Sequence, residues 1–438
     1  MKKHSLIYIT AAAIMVLCLA ACNNGNTGQE VSDADKPKNP VNSYANEPAN
    51  LVVFSAAGTP EESWNERFGN DLKKKFPNYK ISYIRNGPTS LSQIITSGEQ
   101  VDIIYDSVGN AVNSVIPYGL QFDVSELVKK HHIDLNRFEP TMLDAVKQFG
   151  GLYGLPVQGG GLVMYYNKDI FDKFGVAYPK DGMFWEEAIE LGKKLTRKDN
   201  GTQYIGLGPS LNHILSMNSY SLPYVDKTTE RAAINNEKYK KIVETLALAP
   251  AQADGYKEKV AALNRAFNND DFMKERFIAM FFMNFGLQDQ EAFSSMNWDM
   301  AALPVFRDNP GVGTQPYPNL MFITNQSKYK DQALEVLNYI TSDDYQMASS
   351  KRGFIPVIKN KTIMDAFGQE TKHKDKNLVK AIFTNKFADP IVRTRYDSQV
   401  NTPLLKNMIS VIKGEMDLNT ALRTTEESAN KAIEAAKR

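Results

Sequence analysis

The sequence predicts an α/β chain in two lobes, each a mostly parallel sheet flanked by helices. Three observations carry that expectation. Short apolar runs alternate with helical patterns, the rhythm of βαβ units whose sheets are covered on both faces. The 438 residues exceed what a single hydrophobic core normally organises. Proline-marked strand exits recur near Pro156, Pro304 and Pro356, as if the chain crossed three times between two discontinuous lobes. The expected lobes are 51–157 plus 306–355, and 158–305 plus 356–438. Hydrophobic residues make up 42%, enough for real cores, which excludes disorder of the whole chain. The 51 basic residues balance 50 acidic ones, a net charge of +1. No global field therefore recruits nucleic acid or an anionic membrane surface.

The N-terminus has a different character. Lys2 and Lys3 form a positive n-region, Leu6 to Leu19 an apolar h-region, and Ala20 and Ala21 precede Cys22. That pattern reads as an export signal over 1–21, too short for a convincing membrane span. The order Leu19-Ala20-Ala21-Cys22 resembles the bacterial lipoprotein lipobox. The resemblance implies cleavage before Cys22 and lipidation of its sulfur. Several acyl chains at ~0.8 kcal/mol per buried CH2 make a stable anchor on the extracytoplasmic face of the cell membrane. A plain secretory signal with an incidental cysteine is the alternative. Cys18 would leave with the signal, so the mature chain would hold no disulfide, no Cys-ligated metal and no thiol nucleophile. Residues 22–50 are polar and almost without apolar side chains, so they read as a flexible tether, with folding starting near Leu51.

Leu51 to Phe54 is an apolar strand that ends in a Ser55–Pro60 loop. Pro60, Glu61 and Glu62 suit a helix start, and Trp64, Phe68, Leu72 and Phe76 recur at near-helical spacing. Lys80–Ile84 reads as a strand, Leu91–Ser97 as a helix, and Val101–Tyr105 as a strand ending at Asp106-Ser107. Gly150-Gly151 suits a tight turn, because glycine reaches positive φ without a Cβ penalty. Leu152–Val157 is a strand interrupted by Pro156, Gly159 to Gly161 loosen the next turn, and Leu162–Tyr166 is a fresh strand. The stretch 150–171 is either a hinge crossing or an ordinary βα loop. Trp185–Leu195 reads as an amphipathic helix, Tyr204–Leu207 as a strand, and 210–270 as helical in character. Phe277–Phe285, Trp298–Val305 and Leu320–Thr324 read as strands. Asp331–Ile340 is a helix, and the chain beyond Val357 is mainly helical.

The five histidines show no metal or triad spacing, and His131-His132 reads as a solvated helix end. No G-x-S-x-G elbow, P-loop or H-E-x-x-H is present. Carboxylates abound, but nothing singles out a glycosidase pair. Neither a cofactor nor a metal is expected. Aromatics beside turns are the better site candidates: Trp185, Tyr220, Tyr224, Phe285 and Tyr317. Flat rings pack on the C–H faces of sugars while polar groups hold hydroxyls. Met183-Phe184-Trp185 equally suits a hydrophobic staple.

Several ordered motifs carry a family likeness. They are Gly151-Leu152-Tyr153-Gly154-Leu155-Pro156, Tyr165-Tyr166-Asn167-Lys168-Asp169-Ile170-Phe171, Trp185-Glu186-Glu187 and Ala279-Met280-Phe281-Phe282. Further on stand Ala302-Leu303-Pro304, Lys330 to Ser342, and Gly353-Phe354-Ile355-Pro356-Val357. Together the set resembles family 1 extracellular solute-binding proteins of ABC transporters. The resemblance implies a type II periplasmic-binding-protein-like fold that clamps a solute between lobes by hinge closure. It also implies carbohydrate as cargo, delivered by a monomer to the transmembrane subunits of a permease. Within that family a tryptophan often follows the Ala-Met-Phe strand; here Phe285 stands in its place. The expected ligand-binding residues are Ser55, Glu61, Asp106, Ser107 and Gln158 from the first lobe and its exit. Trp185, Asn218, Tyr220, Tyr224, Phe285 and Tyr317 complete the set. A peptide, amino acid or polyamine on the same fold is the alternative cargo, and a secreted lipoprotein glycoside hydrolase the alternative class.

Overall fold

The computed structural model describes residues 43–437. The expected signal peptide, Cys22 and most of the tether lie outside these residues. The last part of the expected tether does not behave as one. Ser43–Asn46 forms a 3-10 turn, and Tyr44, the lone aromatic of the polar run, stacks on His131 at 5.3 Å. The Tyr79 hydroxyl donates to the Tyr44 carbonyl at 2.8 Å. One half-buried ring, stacked and with its residue's carbonyl bonded, ties down a polar segment.

The strands are β1 (Ala49–Ser55), β2 (Tyr79–Arg85), β3 (Ile103–Ser107), β4 (Gly154–Gln158), β5 (Leu162–Asn167) and β6 (Arg197–Asp199). They continue as β7 (Thr202–Pro209), β8 (Val225–Asp226), β9 (Arg231–Ala232), β10 (Ile278–Asn284), β11 (Trp298–Ala301) and β12 (Asn319–Ile323). One five-stranded sheet has the order β2-β1-β3-β12-β4 and the other β11-β5-β10-β7-β6. In the first, β1 runs parallel to β2 and β3, while β12 is antiparallel to both its neighbours. In the second only β10 and β7 are parallel. The sheets are therefore mixed, which corrects the expectation of mostly parallel ones. The cause is topological: β5, β11 and β12 belong to connections that pass between the sheets and return against the local direction, so no βαβ crossover sets their sense.

This strand order brings the two sheets edge to edge. The carboxyl ends of β1, β3 and β4, at Ser55, Ser107 and Gln158, share one edge with the start of β12, where Asn319 pairs with both Ser107 and Gln158. In the second sheet the ends of β7 and β10, at Pro209 and Asn284, share an edge with the start of β5 at Leu162. Three residues, Gly159 to Gly161, join the two edges. Their backbones stitch the other connections together. Gly159 N donates to Ile355 O at 2.8 Å, Tyr317 N to Gly160 O at 2.9 Å, and Phe285 N to Gly161 O at 3.0 Å.

The pairings shift the other two crossings downstream of the prolines. Residues 305–315 stay with the second sheet's elements: Trp185 N donates to Val305 O and Gln315 N to Met217 O, each at 3.1 Å. Around Pro356 the chain still belongs to the first sheet's side, since Glu139 N donates to Val357 O at 2.8 Å. It reaches the second side at Asn377, whose amide bonds Asp181 at 3.0 Å. β11 already ends at Ala301, and no strand surrounds Pro356, so the prolines mark irregular backbone and not the exit from a lobe. We propose lobes of 43–158 plus 317–370, and 162–316 plus 377–437.

His131 is no solvated helix end. Its side chain is fully buried, with Nδ1 2.6 Å from Glu335 and Nε2 2.7 Å from Asp331. Burial opposes the charged imidazolium, but the two carboxylates outweigh it and raise the pKa. A raised folded-state pKa gives stability that is whole below the free value of about 6.5 and is lost as pH climbs through the raised one. Thermal unfolding should therefore show stability falling above neutral pH. His131→Gln should remove that slope and, at pH 6, cost ~3–5 kcal/mol by taking the cation from between two carboxylates; an unchanged pH profile in the variant would refute the assignment.

Candidate functional site

The carboxyl ends of strands are where open α/β sheets gather ligands, and here two such edges face each other across the glycine stitch. On the first wall the helical segment 61–75 begins after the β1 loop and carries a π-turn at Asn65–Gly69. The turn lets Trp64 and Phe68 both bury, with Trp64 stacked on Tyr83 at 4.9 Å. A π-turn also releases a carbonyl from the helical ladder. The Arg67 carbonyl within this turn accepts from the Tyr345 hydroxyl. The Arg67 guanidinium then lies over the Phe354 ring at 5.5 Å and reaches the Gln158 side-chain oxygen at 3.4 Å.

The second wall is built by the turns after β10 and β7. Asn284 Oδ1 is buried with no protein partner among the described residues, a placed acceptor at the strand end. Phe285 packs on Phe367 at 5.3 Å, and Gly286 takes φ +115 to turn the chain. Asp289 follows. Crowding by the protein around it raises its pKa, while His373, Lys372 and Arg67 pull it down and Glu66 adds to the rise. Arg67 and Glu66 are first-wall groups, so the two walls are electrostatically coupled. After β7, Ser210 Oγ lies 2.7 Å from His213 Nδ1. Between the walls, the Tyr317 hydroxyl fills the space where a Cβ on Gly109 would sit, and Arg393 lies 5.7 Å over the Tyr317 ring.

Of the expected site residues, Ser107, Gln158, Phe285 and Tyr317 stand at or beside these edges, partly open. Glu61 is exposed, in an open groove with Glu62, Glu66 and Asp71. Tyr220 donates to Asp308 at 2.6 Å and packs on Phe306 at 4.9 Å. Five others are corrected by their burial. Ser55 is fully buried and caps its own loop by accepting from Thr59 N at 3.1 Å. Asp106 accepts from Ser107 N at 2.8 Å, from Asn110 at 3.0 Å and from the Ser114 hydroxyl, and burial raises its pKa against those bonds. Trp185 meets Phe282 edge-on at 5.0 Å in the core. Asn218 ties its own turn together through Leu215 O, Leu222 O and Leu222 N. Tyr224 is buried and donates to Asn401 at 3.0 Å. Sequence reasoning missed Arg67, Asn284, Asp289 and Arg393. Only the turn at Gly286, one residue past the nominated Phe285, offered a signal.

Two α/β lobes that turn their strand ends toward each other across stitched crossings define a two-lobed binding protein of type II periplasmic topology. The chain belongs to the bacterial extracellular solute-binding protein family, whose model matches residues 57–347. It spans about half the length of several curated relatives it matches. One is the arabinooligosaccharide-binding protein of Bacillus subtilis, 25% identical over 255 residues, covering 56% of this chain and 54% of that protein. The sn-glycerol-3-phosphate-binding periplasmic protein UgpB of Brucella melitensis is 22% identical over 423 residues, covering 85% of this chain and 91% of that protein. Among solved structures, an ABC substrate-binding protein from Listeria monocytogenes in complex with cycloalternan superposes with a TM-score of 0.64 at 19% identity. That superposition covers 88% of this chain and 99% of the other, and it shows a common fold.

Because Trp185 is core, Trp185→Ala should cost ~3–5 kcal/mol in chemical denaturation and leave ligand affinity unchanged. A selective loss of affinity at full stability would return Trp185 to the site.

Proposed function

We propose that this chain is a lipid-anchored extracytoplasmic solute-binding protein of an ABC importer, not an enzyme, and that it captures a sugar or oligosaccharide between its lobes. The reading is carried by the apposition of two strand-end edges across a short hydrogen-bonded crossing. Such a site can enclose a solute from both sides when the lobes close. Ligand contacts made only in the closed state supply the differential affinity that closure requires. Arg67 over Phe354, Gln158, Asn284, Phe285, Tyr317 and Arg393 offer rings for C–H faces and amide or guanidinium groups for hydroxyls. The relatives named for arabinooligosaccharide and cycloalternan support carbohydrate as the cargo class. Membrane attachment through Cys22 rests on the Leu19-Ala20-Ala21-Cys22 sequence, and among the described residues no helix is long and apolar enough to cross a membrane.

A second reading is a phosphorylated polyol. It is favoured by the relative named for sn-glycerol-3-phosphate and by two guanidinium groups, Arg67 and Arg393, near the crossing. Thermal-shift measurements against neutral oligosaccharides, glycerol phosphates, peptides and polyamines separate the readings. A binder at ~100 times its Kd should add about 2.7 kcal/mol of stability. Stabilisation by neutral sugars is the expected result, and stabilisation by phosphorylated polyols, peptides or polyamines alone would overturn it. For the anchor, Cys22→Ser should release the protein from cells; full membrane retention of the variant would refute lipidation.

A further inference from the structure

A pocket of about 580 Å3 opens beside the glycine joint, and none of Arg67, Gln158, Asn284, Phe285, Tyr317 and Arg393 lines it. Its lining comes from two separately braced segments. Ile358 pairs with Phe138 in an antiparallel bridge, and Lys359 N donates to Arg137 O at 2.8 Å. Lys386 pairs instead with Val312, its N–H donating to Gly311 O at 3.1 Å, and the Asn385 amide donates to Leu303 O at 2.7 Å. Met142 and Phe387 reach from the lining to the joint. Each lies 2.9 Å from a Cβ placed on its neighbouring glycine, Gly159 for Met142 and Gly161 for Phe387.

The lining is apolar within and cationic outside. Met142, Ile358 and Ile382 are buried, while Met364, Phe383 and Phe387 are only half-buried and leave apolar surface open to the pocket. Two methionines among these side chains make a wall that adapts to the shape of what it covers. Lys359, Lys361 and Lys386 also line the pocket, against one carboxylate, Glu139. That carboxylate is engaged in capping the helix Pro140–Lys147, accepting from Met142 N at 2.9 Å and from the Thr141 hydroxyl at 2.6 Å. Lys361 is held by Asp365 at 2.5 Å. Lys359 and Lys386 are exposed and have no ion pair among the described residues. The volume lies within the ~300–1,000 Å3 of sites that take drug-sized molecules.

A cation would meet two unpaired ammonium groups here, and a neutral polar molecule would leave the open methionine and phenylalanine surface uncovered. An apolar body carrying a single negative charge answers both features. We propose that this pocket is a second ligand site, separate from the interlobe site, for an amphipathic monoanion of the medium-chain carboxylate kind. Its body would cover Met364, Phe383 and Phe387, and its carboxylate would meet Lys359 and Lys386. This goes beyond the cargo reading and stands whether or not the cargo is a sugar.

Calorimetric titration of the purified protein in detergent-free buffer with hexanoate, octanoate and decanoate, each below its micelle concentration, tests the site. One equivalent should bind, tightening about fourfold per added CH2. Decanol and decyltrimethylammonium should bind about tenfold more weakly than decanoate or less. Lys359→Glu combined with Lys386→Glu should weaken decanoate about tenfold while the melting temperature stays that of the parent. Should that pair melt lower, Lys359→Gln with Lys386→Gln carries the same test, as loss of decanoate's advantage over decanol. The proposal is overturned by the absence of saturable decanoate binding, by equal binding of the cationic amphiphile, or by unchanged decanoate affinity in both lysine pairs. A cargo solute that displaces decanoate one for one would make the pocket part of the interlobe site. A dimer in sedimentation that the lysine pairs abolish would give the face to a second copy, and either result overturns it too.

Discussion

Everything in this molecule hangs on the close approach of backbones at Gly159 to Gly161. A Cβ on Gly159 would lie 2.7 Å from Ile355 and 2.9 Å from Met142, and one on Gly161 would lie 2.9 Å from Phe387. On Gly160 it would collide with the Tyr317 carbonyl. None of the three has positive φ, so their value is the absence of a side chain and not an unusual conformation. Because there are no Cβ atoms, three separate backbones come close enough to exchange hydrogen bonds, each worth about 0.5–1.5 kcal/mol net. The joint is therefore well defined, and contacts such as Arg393 N to Gln148 at 2.9 Å and Phe285 on Phe367 add to it.

A joint of this kind fixes which loops can meet. With β4 and β12 on one side and β5 and β11 on the other held at the crossing, the turns after β3 and β1 are left to oppose those after β10 and β7. The groups there suit a site that works by closing. Arg67 is aimed by a π-turn and by the Tyr345 bond to its carbonyl, while Asn284 and Asp289 wait on the opposite turn. Meanwhile the large aromatics within each lobe, such as Trp64 and Trp185, make the lobes rigid bodies, since interiors at crystal-like density deform little. Rigid lobes and a glycine joint are what the proposed closure on a solute requires.

Local features were legible in the sequence, and long-range ones were not. The helices Leu91–Ser97 and Trp185–Leu195 could be read because their apolar spacing and first-turn acids or amides are local signals; Ser90 and Gln93 do form a capping box. Sheet sense was misjudged because β12 reaches β3 and β4 only after the chain has built most of the second lobe. His131 found its partners 200 and 204 residues away, which no spacing rule anticipates. The site residues failed in one direction. Side chains at strand ends or turns were nominated for polarity or aromaticity, yet at Ser55, Asp106 and Asn218 those groups brace their own turns. Trp185 starts a helix whose first turn faces the core. The glycine triplet was recognised as special, but its reason, space and not freedom, needed the neighbours Tyr317, Ile355 and Phe387.

The central claim is that the two edges close on a solute about this joint. Spin labels at Ser92→Cys in the first lobe and Gln290→Cys in the second would report it by pulsed electron resonance. A sugar that binds should shorten the interlabel distance and narrow its distribution, reversibly on removal. A saturating ligand that leaves the distance unchanged would contradict the account.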